Sequence, residues 1–394
     1  MFRTWFDGIV TVVFGSLAIY VALRLLNYVF VTGRWDVVRR NLKLLLVGRF
    51  PDDELNKVVI AVAVSVLWGG VLVGLVIGRQ RRAGTYVERA SAPAKHVGLL
   101  VARFWPILVA VAALLALSDS VGPWIATLVI VASAVVGRAG GVVVAGRVSS
   151  APSPVKAVLG LGLVAVPLVV LVALANVLGW DEWGGFMINL TIAAAAIVMC
   201  FPLGVLLALG RASKLPLLKA SSTGYIEIFR GSPLFVLLLL ANNALEFFVP
   251  RSIAPGVVVR AVIVFTLFTA AYVAEIVRGG LQSVPPGQDE AAKALGLSPA
   301  KTTLLITLPQ ALRNVIPAQI GQFISLFKDV TLAGTAMGVF DLLDVGRTIT
   351  KQPDFAGQRL DVESLAFVAL LFWVGSYTMS RESQRLEKKL GVGT

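Results

Sequence analysis

Three features of the residue pattern predict an all-α membrane protein of about ten transmembrane helices. Hydrophobic residues make up 57% of the 394-residue chain against 14% charged, and mean hydropathy is +0.85, more apolar surface than a soluble globule can bury. Apolar runs of about 17 to 24 residues, each long enough to cross a bilayer, recur along the whole length. Lysines and arginines fall mostly in alternate connecting loops, as orientation in a membrane requires. The net charge of +13 does not point to nucleic acid, because the basic residues are scattered between apolar runs and form no single patch. Cys200, the one cysteine, lies inside an apolar run, which leaves no disulfide framework and no metal cluster. His96, the one histidine, flanks a membrane segment and is expected in a solvated loop.

The first run, 9–31, is too long for a secretory signal, contains Arg24 and lacks a small-residue cleavage site, so it is expected to persist as a helix. After it, 35–50 sets Val37, Val38, Leu42, Leu45 and Leu46 on a rough helical stripe against basic residues, which predicts an interfacial helix. Further runs follow at 58–77, 98–117, 121–137, 157–178, 186–209, 231–249, 257–278, 316–336 and 363–380. Phe201-Pro202 inside the sixth predicts a kink. With a cytoplasmic N-terminus, the inside loops hold Arg79, Arg81, Arg82, Arg89 and Lys95, then Arg138, Arg147 and Lys156, then Arg211, Lys214, Lys219 and Arg230. The tail adds Arg381, Arg385, Lys388 and Lys389, whereas the turns 118–120 and 179–185 carry no lysine or arginine. Loop 33–57 runs against the rule, placing Arg34, Arg39, Arg40, Lys43 and Arg49 outside.

The polar island 283–309 stands between two apolar runs. Pro285 and Pro286 bar helix across themselves, good helix formers run from Gln288 to Leu295, and Gly296 supplies a stop. Ser298 before Pro299 is an N-cap followed by a first-turn proline, so a second helix is expected through Leu304 to Leu308. Glu290-Ala291-Ala292, three residues, Gly296, nine residues, Ile306, one residue and Leu308-Pro309 resemble the EAA signature of the membrane-spanning subunits of bacterial ATP-binding-cassette importers. The resemblance implies a cytoplasmic loop whose helix sits in a cleft of the ATPase subunit, with Glu290, Ala291, Ala292, Gly296, Leu297 and Pro309 as docking residues. Small alanines allowing close approach, a charged anchor at Glu290 and a turn at Gly296 suit that role.

The chain divides near Asp181 into an extension, 1–180, of about five spans and a core, 181–394. The core resembles the five-helix permease of the polar amino-acid branch of type I importers. The residues that carry this are Tyr225-Ile226-Glu227-Ile228-Phe229-Arg230-Gly231-Ser232-Pro233, Ala274-Glu275-Ile276-Val277-Arg278-Gly279-Gly280 and Phe323-Ile324-Ser325-Leu326-Phe327-Lys328-Asp329. Segment 33–57 also looks like the equivalent loop of one permease of general amino-acid importers, and a packing or assembly role is expected for the extension. The resemblance implies a bacterial cytoplasmic (inner) membrane protein that forms a solute path by alternating access. Its partners would be a second permease chain, identical or related, an ABC ATPase subunit dimer, an extracytoplasmic amino-acid-binding protein and the lipid bilayer.

An ATP-cradling loop needs glycine-rich backbone before Gly-Lys-Ser/Thr. The nearest approach, GLSPAKTT at 296–303, lacks the glycine before Lys301, so hydrolysis is expected in a partner, with no cofactor or metal held by this chain. Intramembrane polar residues face the protein interior or a watery path by default. Thr269, Tyr272 and Glu275 fall within an arc of about 120° on the 257–278 run, and Gln322, Ser325 and Asp329 share a face of the 316–336 run with Lys328 turned aside. These two faces are expected to line the solute path, with Glu275, Lys328 and Asp329 as its charged members. Asn189, Thr191, Asn242, Asn243, Glu246 and Gln319 are further intramembrane polar residues, and helix gluing accounts for Asn189 and Thr191 equally well. Glu275 and Arg278, three apart, also suit a local pair. An ion- or proton-coupled secondary transporter would give Glu275 and Asp329 a coupling role, but leaves the 283–309 loop without a purpose.

Overall fold

A computed structural model describes residues 5–82, 105–112, 114–115, 117, 122–149, 183–250 and 254–391. The expected span 157–178, the turn 118–120, the division near Asp181, and Arg89, Lys95, His96 and Lys156 lie outside the described residues. Among the described residues the architecture is all-α, with one isolated parallel bridge between Gly185 and Asp341. Helix α1, Trp5–Asn27, runs through a π-helical turn to Thr32, and two short helices follow, α2 Asp36–Arg40 and α3 Leu42–Val47. Then come α4 Leu55–Arg82, α5 Gly122–Ser149, α6 Gly185–Arg211, α7 Pro216–Gly231, α8 Leu234–Asn243, α9 Leu245–Phe248 and α10 Val257–Ser283. The remainder is α11 Pro286–Ala294, α12 Pro299–Thr302, a π-helical turn Thr303–Thr307, α13 Leu308–Asn314, α14 Ile316–Asp329, α15 Leu332–Met337, α16 Leu342–Ile349 and α17 Asp361–Leu390. Among the described residues, six helices are long and apolar enough to cross a bilayer, and α7 with α8, bent by 99°, makes a seventh if read as one span.

Two expected spans are discontinuous. The run 316–336 breaks at Val330 and Thr331 between α14 and α15. The run 231–249 begins only at Leu234, because Ser232-Pro233 is extended and ends α7. Residues 216–231, expected as part of a basic loop, form the helix α7 with Pro216 in its first turn.

Glycine register holds α4 against α5. A Cβ on Gly70 would stand 2.7 Å from the Ala134 carbonyl oxygen, and one on Gly74 2.8 Å from Gly141 Cα. Spacing of four residues puts Gly70, Gly74 and Gly78 on one stripe, and Gly137, Gly141 and Ala145 on the facing one, so the backbones meet directly. In the core, α6 and α10 approach the same way: Gly204 lies where a Cβ would be 2.9 Å from the Ala270 carbonyl, and Ala196, Ala208, Ala270 and Ala274 are fully buried.

The 33–54 segment belongs to this core. The expectation of an interfacial helix is corrected: Val37, Val38, Leu45 and Phe50 are fully buried in one cluster with Trp183, Ile188, Phe355 and Leu360. The apolar stripe faces protein, where burying each such side chain contributes roughly 1.5–3 kcal/mol. Gln352 Nε2 donates to Asn41 Oδ1 at 2.9 Å, Arg34 N donates to Glu363 Oε1 at 3.2 Å, and Arg40 pairs with Asp354 at 3.7 Å. Gly48, at φ +69°, sits where a Cβ would be 2.7 Å from Gly184 N, and Arg49 lies over the Phe340 ring at 4.5 Å. Of the basic residues that break the loop-charge rule, Arg40, Lys43 and Arg49 therefore meet acids or a ring at the helix ends opposite the 283–309 loop.

Candidate functional site

The 283–309 loop folds as a helix, a left-handed glycine and a second helix. The proline bar is corrected by one position: Pro286 opens α11, since a first-turn residue has no intrahelical use for its N–H. Gly296 has φ +75°, Gly296 N donates to the Lys293 carbonyl at 2.9 Å and Leu297 N to the Ala292 carbonyl at 3.1 Å. This is a Schellman ending, which favours glycine for its backbone conformation, and among the described residues nothing beyond its chain neighbours lies within 4 Å of an added Cβ. Pro309 has no N–H to continue the helix, and the turn before it widens to π. Glu290, Ala291, Gly296 and Pro309 are exposed, Leu297 is half-buried and Ala292 is buried. Leu295, 81% exposed, adds a bare apolar group to this polar loop, beside exposed Leu304 and Leu305. The ends of the loop are tied: Asn314 Nδ2 donates to Ser283 Oγ at 3.0 Å and Gln310 Nε2 to Gln288 Oε1 at 3.2 Å.

About two turns before the loop, Glu275 is the hub of an ion-pair cluster. Its Oε1 accepts from Arg211 Nη1 at 2.6 Å, its Oε2 accepts from Arg278 Nη2 at 2.9 Å, and Arg230 stands 3.6 Å away. Arg211 also reaches Glu227 at 3.1 Å. The expected Glu275–Arg278 pair is present, and the last turns of α6 and α7 bring two further arginines that sequence spacing does not indicate. The Glu275 side chain is 17% exposed, so these attractions are less screened than on an open surface.

Of the other residues expected on the path, Thr269 is buried and Tyr272 half-buried, its ring 5.7 Å below the Arg230 guanidinium. Gln322, Ser325 and Asp329 are half-buried and Lys328 is exposed. Helix gluing holds for Asn189: its Nδ2 donates to Asp341 Oδ2 at 3.2 Å and its Oδ1 accepts from Leu342 N at 2.9 Å, joining α6 to the start of α16. Asp341 is fully buried, caps α16 through Asp344 N at 2.8 Å, and burial pushes its carboxyl up to about 6. Asp341, Arg211 and Arg230 are site residues that sequence reasoning missed. Only the cap had a local signal, an Asp directly before an apolar helical run.

The family model for "Binding-protein-dependent transport system inner membrane component" matches residues 200–391. The chain is 46% identical over 210 residues to the glutamate/glutamine/aspartate/asparagine transport system permease protein BztC of Rhodobacter capsulatus, covering 53% of this chain and 48% of that one. It is 42% identical over 212 residues to the inner membrane amino-acid ABC transporter permease protein YhdY of Escherichia coli, covering 54% and 57%. It is 32% identical over 205 residues to the probable glutamine ABC transporter permease protein GlnP of Bacillus subtilis, covering 52% of this chain and 91% of that one. The match thus spans about half the length of the first two relatives and nearly all of the third.

Proposed function

The chain belongs to the family of binding-protein-dependent transport system inner membrane components, and from that premise we propose that it is the permease subunit of an ATP-driven amino-acid importer. It is a multi-pass protein of the bacterial inner membrane. In this reading the 283–309 loop is cytoplasmic and docks an ABC ATPase dimer that supplies the hydrolysis. A second permease chain completes the path, and an extracytoplasmic amino-acid-binding protein delivers solute to the opposite face. The observation that carries the docking role is the exposed glycine-ended helix α11, with Glu290, Leu295 and an unobstructed Gly296 at its tip. A partner cleft can cover Leu295 and meet Glu290 while the tied loop ends pass its movement to α10 and α13.

For the path we propose the polar faces of α10 and α14, Thr269, Tyr272 and Glu275 on one and Gln322, Ser325, Lys328 and Asp329 on the other. An amino acid carries a carboxylate and an ammonium, and these faces offer the Lys328 cation and hydroxyls beside the partly buried carboxylates of Glu275 and Asp329. Alternating access then needs only that the docked loop shift α10 relative to α14.

Gly296→Arg and Glu290→Arg test the docking. Each variant is expected to insert in the membrane at the parental level but to lose ATPase on co-purification, since a bulky or reversed charge must enter a fitted cleft. Parental ATPase recovery and uptake in both variants would refute the assignment.

A further inference from the structure

Gln319 lies in the first turn of α14, and its carboxamide is a buried polar group with no hydrogen-bond partner among the described residues, on either the nitrogen or the oxygen. The residue is 5% exposed, and its backbone N–H is already given to the Val315 carbonyl at 2.9 Å. It lines a cavity of about 450 Å³ with Phe201, Pro309, Leu312, Arg313 and Ile316. That volume lies within the roughly 300–1,000 Å³ of small-molecule sites. The walls come from three elements with different roles: Phe201 precedes the proline of α6, Pro309 and Arg313 belong to α13 directly after the loop, and Gln319 opens α14. At 100° per residue, Gln319 falls within the same arc of about 120° as Gln322, Ser325 and Asp329, roughly 4.5 Å nearer the loop than Gln322.

An unpaired buried amide is costly, so a fold that retains one in the wall of a cavity invites an explanation from what the cavity holds. We propose that this cavity is a waypoint of the solute path at its loop-proximal end, where the Gln319 carboxamide and the Arg313 guanidinium receive the carboxylate of an amino acid leaving the α10–α14 faces. The apolar walls leave these as the polar groups that orient the solute, and the position between Phe201 and Pro309 makes the cavity respond to loop movement. The inference rests on the importer reading and adds a site to it.

The test is Gln319→Leu in the complete permease–ATPase–binding-protein complex, reconstituted in vesicles and assayed with labelled glutamate and labelled glutamine. Leucine has similar reach and no polar atoms, so it removes the orphaned amide without opening a large void. The expected result is a Tm raised by about 3 °C together with a fall of about tenfold or more in maximal uptake. The half-saturating concentration, set by the binding protein, and ATPase co-purification should remain parental. A raised Tm with parental uptake overturns the proposal, because the amide then serves no solute. A lowered Tm also overturns it, because the amide then has a structural partner in the assembly. Absence of uptake by the parent complex overturns the importer reading and this inference with it, whereas parental transport with an indifferent variant overturns the waypoint alone.

Discussion

Glu275→Gln removes the acid around which Arg211, Arg230 and Arg278 gather while keeping the length of the side chain. Two of the three guanidiniums stand at 2.6 and 2.9 Å from the carboxylate and the third at 3.6 Å, so the substitution leaves three cations facing one neutral amide. Breaking a fully buried ion pair costs about 3–5 kcal/mol, because the abandoned charge stays desolvated. Here the arginine side chains are 24%, 38% and 36% exposed and water can take up part of their charge, which lowers the expected cost to about 2–3 kcal/mol. Arg211 also retains Glu227. With about 2–4 °C per kcal/mol for a domain of this size, the purified chain should melt roughly 5–10 °C lower. Glu275→Asp, which keeps the charge but withdraws it by one methylene, should lose about half as much. Thermal melting of detergent-solubilised protein followed by size-exclusion recovery reads both. A Glu275→Gln melting point within 1 °C of the parent would show that the cluster does not hold α6, α7 and α10 together.

Two further substitutions probe the end of the core opposite the loop. Gly48→Val forces a branched side chain into a φ of +69° against the Gly184 backbone, a cost of about 4 kcal/mol from strain and overpacking; parental recovery of folded protein would remove the 33–54 segment from the core's supports. Asp341 has its carboxyl raised from 3.8 to about 6, so the folded state binds its proton more tightly than the unfolded state does. The stability this provides is fully present below pH 3.8 and is lost as pH rises through about 6, a change of about 3 kcal/mol at 1.36 kcal/mol per pH unit. Asp341→Asn should flatten that window of the stability–pH curve, and an unchanged slope between pH 4 and 6 would contradict the burial argument.

Local residue patterns are enough to specify the class of the protein and the form of its loop. Apolar runs of bilayer length need no tertiary partner to be recognised, because membrane crossing is decided by the composition of one segment at a time. The same locality made 283–309 legible: Gly296 and Pro299 act through their own backbone conformations, and the helix–turn–helix they specify is the one observed, shifted by one residue at Pro286. The α4–α5 glycine stripes at 70, 74, 78 and 137, 141 were open to the same local counting. Where polar residues from distant segments meet depends on the packed fold. Arg211 and Arg230 reach Glu275 across 64 and 45 residues, and Gln352 reaches Asn41 across 311. A stripe such as Val37, Val38 and Leu45 is equally apolar toward lipid or protein, and only the position of α6 and the 339–363 region turned it inward. Helical periodicity reports which face is apolar and is silent about what covers it, so that choice falls to packing over the whole chain.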